Sequence, residues 1–119
     1  MSKFNIHQKL AQINDHWNPR IAAELNGQYV KLAKLKGKFT WHKHDHEDEL
    51  FMVVKGNLEI HFRDRIEKLS AGDCLVIPKG EEHLPVAKDE VEVLLFEPKS
   101  TLNTGDQQND FTKENLENI

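Results

Sequence analysis

The chain has 119 residues, 38% of them apolar and 30% charged, with a formal net charge of −4 at pH 7. That length supports one compact domain with one core, and that composition is too apolar for a wholly disordered chain. The negative balance argues against nucleic acid as a partner, because gripping phosphates needs a cationic surplus.

The N-terminus carries no apolar leader, and no 18-residue apolar span occurs anywhere, so the expectation is a soluble cytoplasmic protein with no membrane partner. Ile6, Leu10, Ile13 and Trp17 recur at helical spacing behind Asn5, a suitable N-cap, which predicts a short amphipathic helix closed by Asn18-Pro19. Residues 1–19 are therefore read as an N-terminal helical segment. Asn26-Gly27 between two strand-like runs is a strong hairpin signal, since both turn positions need positive φ. Lys31, Lys34, Lys36 and Lys38 follow as a local basic run, of which the even-numbered three share one strand face, and the run reads as solvated rather than as a phosphate track.

From there to Pro98 the sequence predicts short strands over Lys38–His44, Glu49–Val54, Leu58–Arg63, Ile66–Leu69, Cys74–Ile77, His83–Val86 and Val91–Glu97. Turn residues at 46–48, 55–57, 64–65, 71–73, 78–80 and 88–90 separate them. No connection is long enough for a crossover helix, so residues 20–98 predict one all-β sandwich or barrel. The single cysteine, Cys74, excludes an intrachain disulfide and, lying in an apolar run, reads as a buried inert thiol. Residues 99–119 turn polar and read as a tail, with one helical turn after Thr112. Three strands are apolar on both faces. The N-terminal segment and a second copy are both expected to cover the outer face, giving a homodimer with Leu50, Met52 and Val54 in its buried layer and residues before Gln28 contributing.

Chemistry concentrates in Trp41-His-Lys-His-Asp-His-Glu-Asp-Glu-Leu-Phe51. His42 and His44 are two apart on an extended segment, so both rings leave one face with Cα atoms about 6.5 Å apart, a spacing that suits two ligands on one ion. A tight turn over residues 45–48 would return Glu49 from the neighbouring strand, and His83 follows Pro78-Lys79-Gly80. His46 forms a second His-x-His pair with His44. Only two residues separate it from Glu49, too few for the turn, so it reads as a rim residue. His7, His16 and His61 read as surface histidines. Trp41 reads as outer-face packing, and Asp45, Glu47 and Asp48 as solvated turn carboxylates. A carboxylate of Glu81 or Glu82 against the second N–H of His83 is the less favoured alternative to a plain turn. No Ser-His-Asp order, phosphate-cradling loop or Cys-x-x-Cys pair occurs, which removes acyl transfer, nucleotide binding and dithiol redox chemistry.

Gly37, His42-Lys43-His44, four residues, Glu49, six residues and Gly56, then Gly72, five residues, Pro78-Lys79-Gly80, two residues and His83, together resemble the two motifs of small single-domain cupins. Gly37 stands one residue closer to His42 than in that pattern, and Ala87 replaces a terminal Asn; neither position is a ligand. The resemblance implies a double-stranded β-helix (jelly-roll) barrel. It also implies one divalent ion (Fe, Mn, Ni or Zn) held by His42, His44, Glu49 and His83, and a small-molecule ligand or substrate. A metal-dependent enzyme of dioxygenase or isomerase type is one expectation. A non-catalytic module binding a small sugar-like or acidic ligand, in a pocket lined by Phe51, Val53 and Pro85, is the other.

Overall fold

A computed structural model describes residues 2–119. The element order is α1 (Ile6–Leu10), β1 (Arg20–Leu25), β2 (Gln28–Lys38), β3 (Glu49–Lys55), β4 (Asn57–Phe62), β5 (Ile66–Ser70), β6 (Cys74–Ile77) and β7 (His83–Pro98). The expected all-β jelly roll with one short helix is what forms. Every pairing between these strands is antiparallel. One sheet runs β1-β2-β7-β3-β6, while β4 joins β5 to the first part of β7.

The long β7 is the hinge of this arrangement. His83–Val86 pairs with β4, and Val91–Pro98 pairs with β2 and β3. The turn expected at Lys88-Asp89-Glu90 is absent because these residues form a bulge. Between Leu35↔Val91 and Gly37↔Ala87, β7 has three residues where β2 has one. A bulge bends a strand without ending it, which lets one strand serve both sheets. The core between the sheets holds Ala33, Leu35, Phe51, Val53, Leu58, Ile60, Val91 and Val93.

The Asn26-Gly27 turn forms as the sequence predicts, with φ of 50° and 75°. The helix is shorter than its apolar spacing suggests. Asn5 caps it through Gln8 N at 3.0 Å, but regular helix ends at Leu10. Ile13 then closes a tighter turn on Leu10 O, and Trp17 has φ of 58°. Leu10 and Ile13 still reach their expected place, packed with Leu32, Val54 and Leu94 on the outer sheet face. Apolar spacing therefore marked the buried face correctly, although the backbone that delivers it is irregular.

Three other expectations change. Lys31 is buried, unlike Lys36 and Lys38, because residues after Pro98 fold over it. Cys74 is exposed in the single chain, on the outer side of β6. No helical turn follows Thr112. That stretch lies against β1 instead, with Ile21 N donating to Glu117 O at 2.9 Å and Ile119 N to Ile21 O at 3.0 Å. Among the described residues, no helix is long and apolar enough to cross a membrane.

Candidate metal centre

After Lys38 the chain stays extended without joining a regular ladder, so the strand expected over Lys38–His44 is replaced by single contacts. Phe39 N donates to Pro85 O at 3.1 Å; His42 N and His83 O, then His83 N and His42 O, pair at 3.1 and 2.9 Å. That reciprocal bridge puts two residues forty-one positions apart side by side. Gly80 N donates to His44 O at 2.7 Å, and Lys79 N donates to Asp48 Oδ1 at 2.9 Å. The two turns leading to Glu49 and to His83 are thus tied to each other. Glu49 opens β3 opposite Ile77 and faces inward with Phe51 and Val53.

His42, His44, Glu49 and His83 are all buried and converge. Each of the three histidines offers a ring nitrogen within 4.8 Å of the others, a group able to hold a metal ion. Glu49 lies outside that mutual set, but its Oε1 stands 3.5 Å from His44 Nε2 and 3.4 Å from His83 Nε2. His42 Nδ1 donates to Thr40 O and His83 Nδ1 to Glu81 O, each at 2.9 Å. A carbonyl can only accept, so both rings carry the proton on Nδ1 and leave the Nε2 lone pair free for ligation. The partner of His83 is thus the Glu81 backbone rather than a carboxylate.

His44 Nδ1 and Nε2, His83 Nε2 and Glu49 Oε1 have no hydrogen-bond partner. Each such buried group costs about 1–3 kcal/mol if left unpaired. Three of them, His44 Nε2, His83 Nε2 and Glu49 Oε1, meet at one point beside the His42 ring, a donor set of imidazoles and one carboxylate that suits a first-row divalent ion. The residues present therefore fit the metal that the motifs imply.

The electrostatics leave His42 ready to ligate, while His44 holds a proton that an incoming ion has to displace. Burial, reinforced by the charge His83 can carry, lowers His42 to about 4, so this ring is neutral at neutral pH. Burial would lower His44 too, but the adjoining Glu49 carboxylate outweighs it and raises His44. Burial would raise Glu49, yet His44 and His83 hold it well below the usual carboxylate range.

Beside the histidines lies an apolar cavity walled by Trp17, Leu35, Phe39, Phe51, Pro85 and Leu95, with His42, Glu49, Glu97 and Asn103 as its main polar groups. Phe51 and Pro85 were expected there; Val53 sits deeper in the core. Sequence reasoning missed Trp17, Glu97 and Asn103. A signal for Glu97 existed, since it continues the inward parity of Val91, Val93 and Leu95. Lys31 likewise shares the parity of Ala33 and Leu35, and its Nζ lies 3.4 Å from Glu97 Oε1 and 3.3 Å from Thr101 O. Burial first, then the Glu49 charge, push Glu97 well above the carboxylate range against the pull of Lys31.

The remaining histidines sit elsewhere. His46 is exposed on the rim, His16 pairs with Glu90 at 2.7 Å, and His61 with Glu59 at 2.9 Å. Trp41 is half-buried, with the Arg63 guanidinium 3.7 Å above its ring.

Comparison with known proteins agrees with this architecture. A family model described as "Cupin domain" matches residues 28–97. The solved structure of a cupin-2 domain containing protein from Shewanella frigidimarina superposes with a TM-score of 0.80 at 46% identity, covering 81% of this chain and 94% of that one. Protein NMB1881 from Neisseria meningitidis gives 0.75 at 29% identity, covering 82% and 100%. The uncharacterized protein YdbB of Bacillus subtilis is 45% identical over 62 residues, 51% of this chain and only 55% of that relative's length.

Proposed function

This chain belongs to the cupin domain family, and from that premise we propose that it binds one divalent metal ion through His42, His44, Glu49 and His83 and acts as a metal-dependent enzyme on a small oxygenated molecule. The supporting observation is the convergence of buried, partnerless ring nitrogens and one carboxylate oxygen at the end of an apolar cavity. When bound, such an ion supplies Lewis-acid polarisation and a template for substrate oxygens. The chain supplies the rest. Thr40 O and Glu81 O fix two of the imidazoles, and the apolar walls exclude water. Only His42, Glu49 and Glu97 among the cavity's lining can take up or release a proton. That short inventory fits chemistry of dioxygenase or isomerase type, where an ion organises most of the reaction. It equally supports a second reading, a non-catalytic module that captures a small ligand.

His44→Ala is expected to lower the metal content of purified protein at least tenfold, while His46→Ala leaves it unchanged. Elemental analysis reads both, and equal losses would place the ligand set in the wrong register. Oxygen uptake with diols and enediols after iron restoration separates enzyme from binding module.

The assembly is proposed to be a homodimer. The N-terminal helix covers Leu32, Leu94 and the Val54 side of the outer sheet. Leu50, Met52 and Phe96 remain half-open beside Val76, which is 56% exposed, and the exposed Cys74. A contiguous apolar patch of this kind is what a two-fold partner covers. Light scattering is expected to report twice the chain mass of 13.8 kDa. Met52→Asp, at the middle of the patch, is expected to yield monomer. A monomeric native protein removes the dimer, and a dimer that survives Met52→Asp moves the interface elsewhere.

A further inference from the structure

The cavity beside the histidines has a composition that selects among ligands. Trp17 and Phe39 stack at 4.6 Å with an interplanar angle of 18°, and Phe111 from beyond Pro98 lies against both, at 6.2 and 5.0 Å. The indole is fixed from both ends. Trp17 N donates to Lys34 O at 3.0 Å, and Nε1 donates to Lys36 O at 2.8 Å. Its backbone is held at φ of 58°, a conformation that bulky residues rarely adopt. The surrounding contacts therefore hold the ring in place against local strain. The result is a rigid, flat aromatic wall.

The space open to atom centres is about 40 Å³. With one atomic radius added all round, that becomes on the order of 150–200 Å³, the room one six-membered ring needs. Two carboxyls, Glu49 and Glu97, line it, and no lysine or arginine does. Lys31, the nearest buried cation, is occupied by Glu97 Oε1 and Thr101 O. Glu97 is 2% exposed, and its Oε2 has no hydrogen-bond partner. A hydroxyl both donates and accepts, so it satisfies that oxygen in either protonation state of the carboxyl.

We infer that this cavity takes one neutral, ring-sized, largely apolar ligand whose hydroxyl pairs with Glu97, and that its side chains, with no ion bound, reject carboxylates and phosphates of the same size. This deepens the proposed function by naming the substrate class. It rests on that reading only for the ligand's place beside the ion, since the aromatic wall and Glu97 are present with or without metal. A charged ligand would face two carboxyls across a low-dielectric space, with no side-chain cation to meet it. A hydroxyl-free ring would fill the walls but leave Glu97 Oε2 unpaired.

The test uses 4-methylphenol, toluene and benzoate as probes, read by tryptophan fluorescence in a Trp41→Phe background. That background leaves Trp17 as the only tryptophan of the two in the chain. Titrations run on metal-free and on zinc-loaded protein, with zinc content measured separately. The expected result in the metal-free protein is 4-methylphenol binding roughly tenfold tighter than toluene, the worth of about one buried hydrogen bond, with benzoate weaker than both. In the paired variant Lys31→Met with Glu97→Met, which removes acceptor and cation together, the preference for 4-methylphenol over toluene is expected to vanish. Benzoate binding as tightly as 4-methylphenol without metal overturns the inference. So does an equal response to 4-methylphenol and toluene in the native sequence, or no response to any ring at millimolar concentration. Zinc binding without phenol binding refutes this inference alone, and phenol binding without zinc binding refutes the metal reading alone.

Discussion

Replacing Lys31 with methionine is expected to lower the unfolding free energy by about 1–3 kcal/mol, the usual cost of leaving a buried polar group without its partner. Both partners of this pair are 2% exposed in side-chain terms, and Glu97, already held well above the carboxylate range, takes up a proton when Lys31 is gone and is left short of a hydrogen-bond partner. Lys31 also holds the carbonyl of Thr101, itself buried, and so ties the segment after Pro98 to the barrel. Substituting Glu97 as well, in Lys31→Met with Glu97→Met, removes both charges. It is expected to recover most of the loss, because well-packed apolar residues often replace a buried pair at little cost. Urea denaturation of the single and double variants reads the difference. A single variant as stable as the native protein would mean that water or rearrangement satisfies Glu97 without Lys31.

The pair also shows where sequence reading stops. The ligand residues were legible because their chemistry is local: His-x-His on an extended segment, a carboxylate one turn away, and a histidine behind Pro-x-Gly. Lys31 looked like Lys34, Lys36 and Lys38 because the charge is the same for all four, although its parity places it with Ala33 and Leu35. Parity marks the inward face, but what lets a lysine stay there is a partner in Glu97 and a cover of distant residues, Thr101 and its neighbours, which no local pattern announces. Trp17 failed for the opposite reason. Its spacing from Ile6, Leu10 and Ile13 is helical, yet the turn after Leu10 and the positive φ at Trp17 swing the indole from a helix face to the cavity mouth. The strands were easier, since alternation survives wherever one face is buried. Two places misled: the stretch over Lys38–His44 forms no ladder beyond β2, and the exposed polar run at Lys88-Asp89-Glu90 is a bulge, which has the same composition as a turn.

Gly105→Ala is expected to disturb both stability and metal binding, through a segment that composition alone marks as a polar tail. Gly105 has φ of 56°, and a Cβ there would overlap the Lys43 carbonyl oxygen, lie 2.9 Å from its carbon and 3.1 Å from His42 Cδ2. Around that contact, Asp106 N donates to Lys43 O at 3.0 Å, and Lys43 N donates to Asp106 Oδ1 at 3.0 Å. Residues 105–106 therefore clasp the one stretch of the site that lacks a regular ladder, the stretch carrying His42 and His44. None of the atoms in the way is the end of a flexible chain, so the methyl group cannot be accommodated by a rotamer change. The clasp must open or His42 must move. Gly27→Ala is the matched control. Its φ of 75° carries a similar conformational penalty, of about 1 kcal/mol, but nothing lies within 4 Å of the added carbon. Gly105→Ala is expected to cost about 2–4 kcal/mol in thermal or urea unfolding, as overpacking against backbone does, and to weaken zinc binding at least tenfold. Gly27→Ala is expected to leave zinc affinity unchanged. If the two variants lose equal stability and both keep native zinc affinity, the clasp does not position the histidines. If Gly105→Ala loses zinc affinity while Gly27→Ala, with its own conformational penalty, does not, the contact with Lys43 and His42 is what sets the geometry of the site.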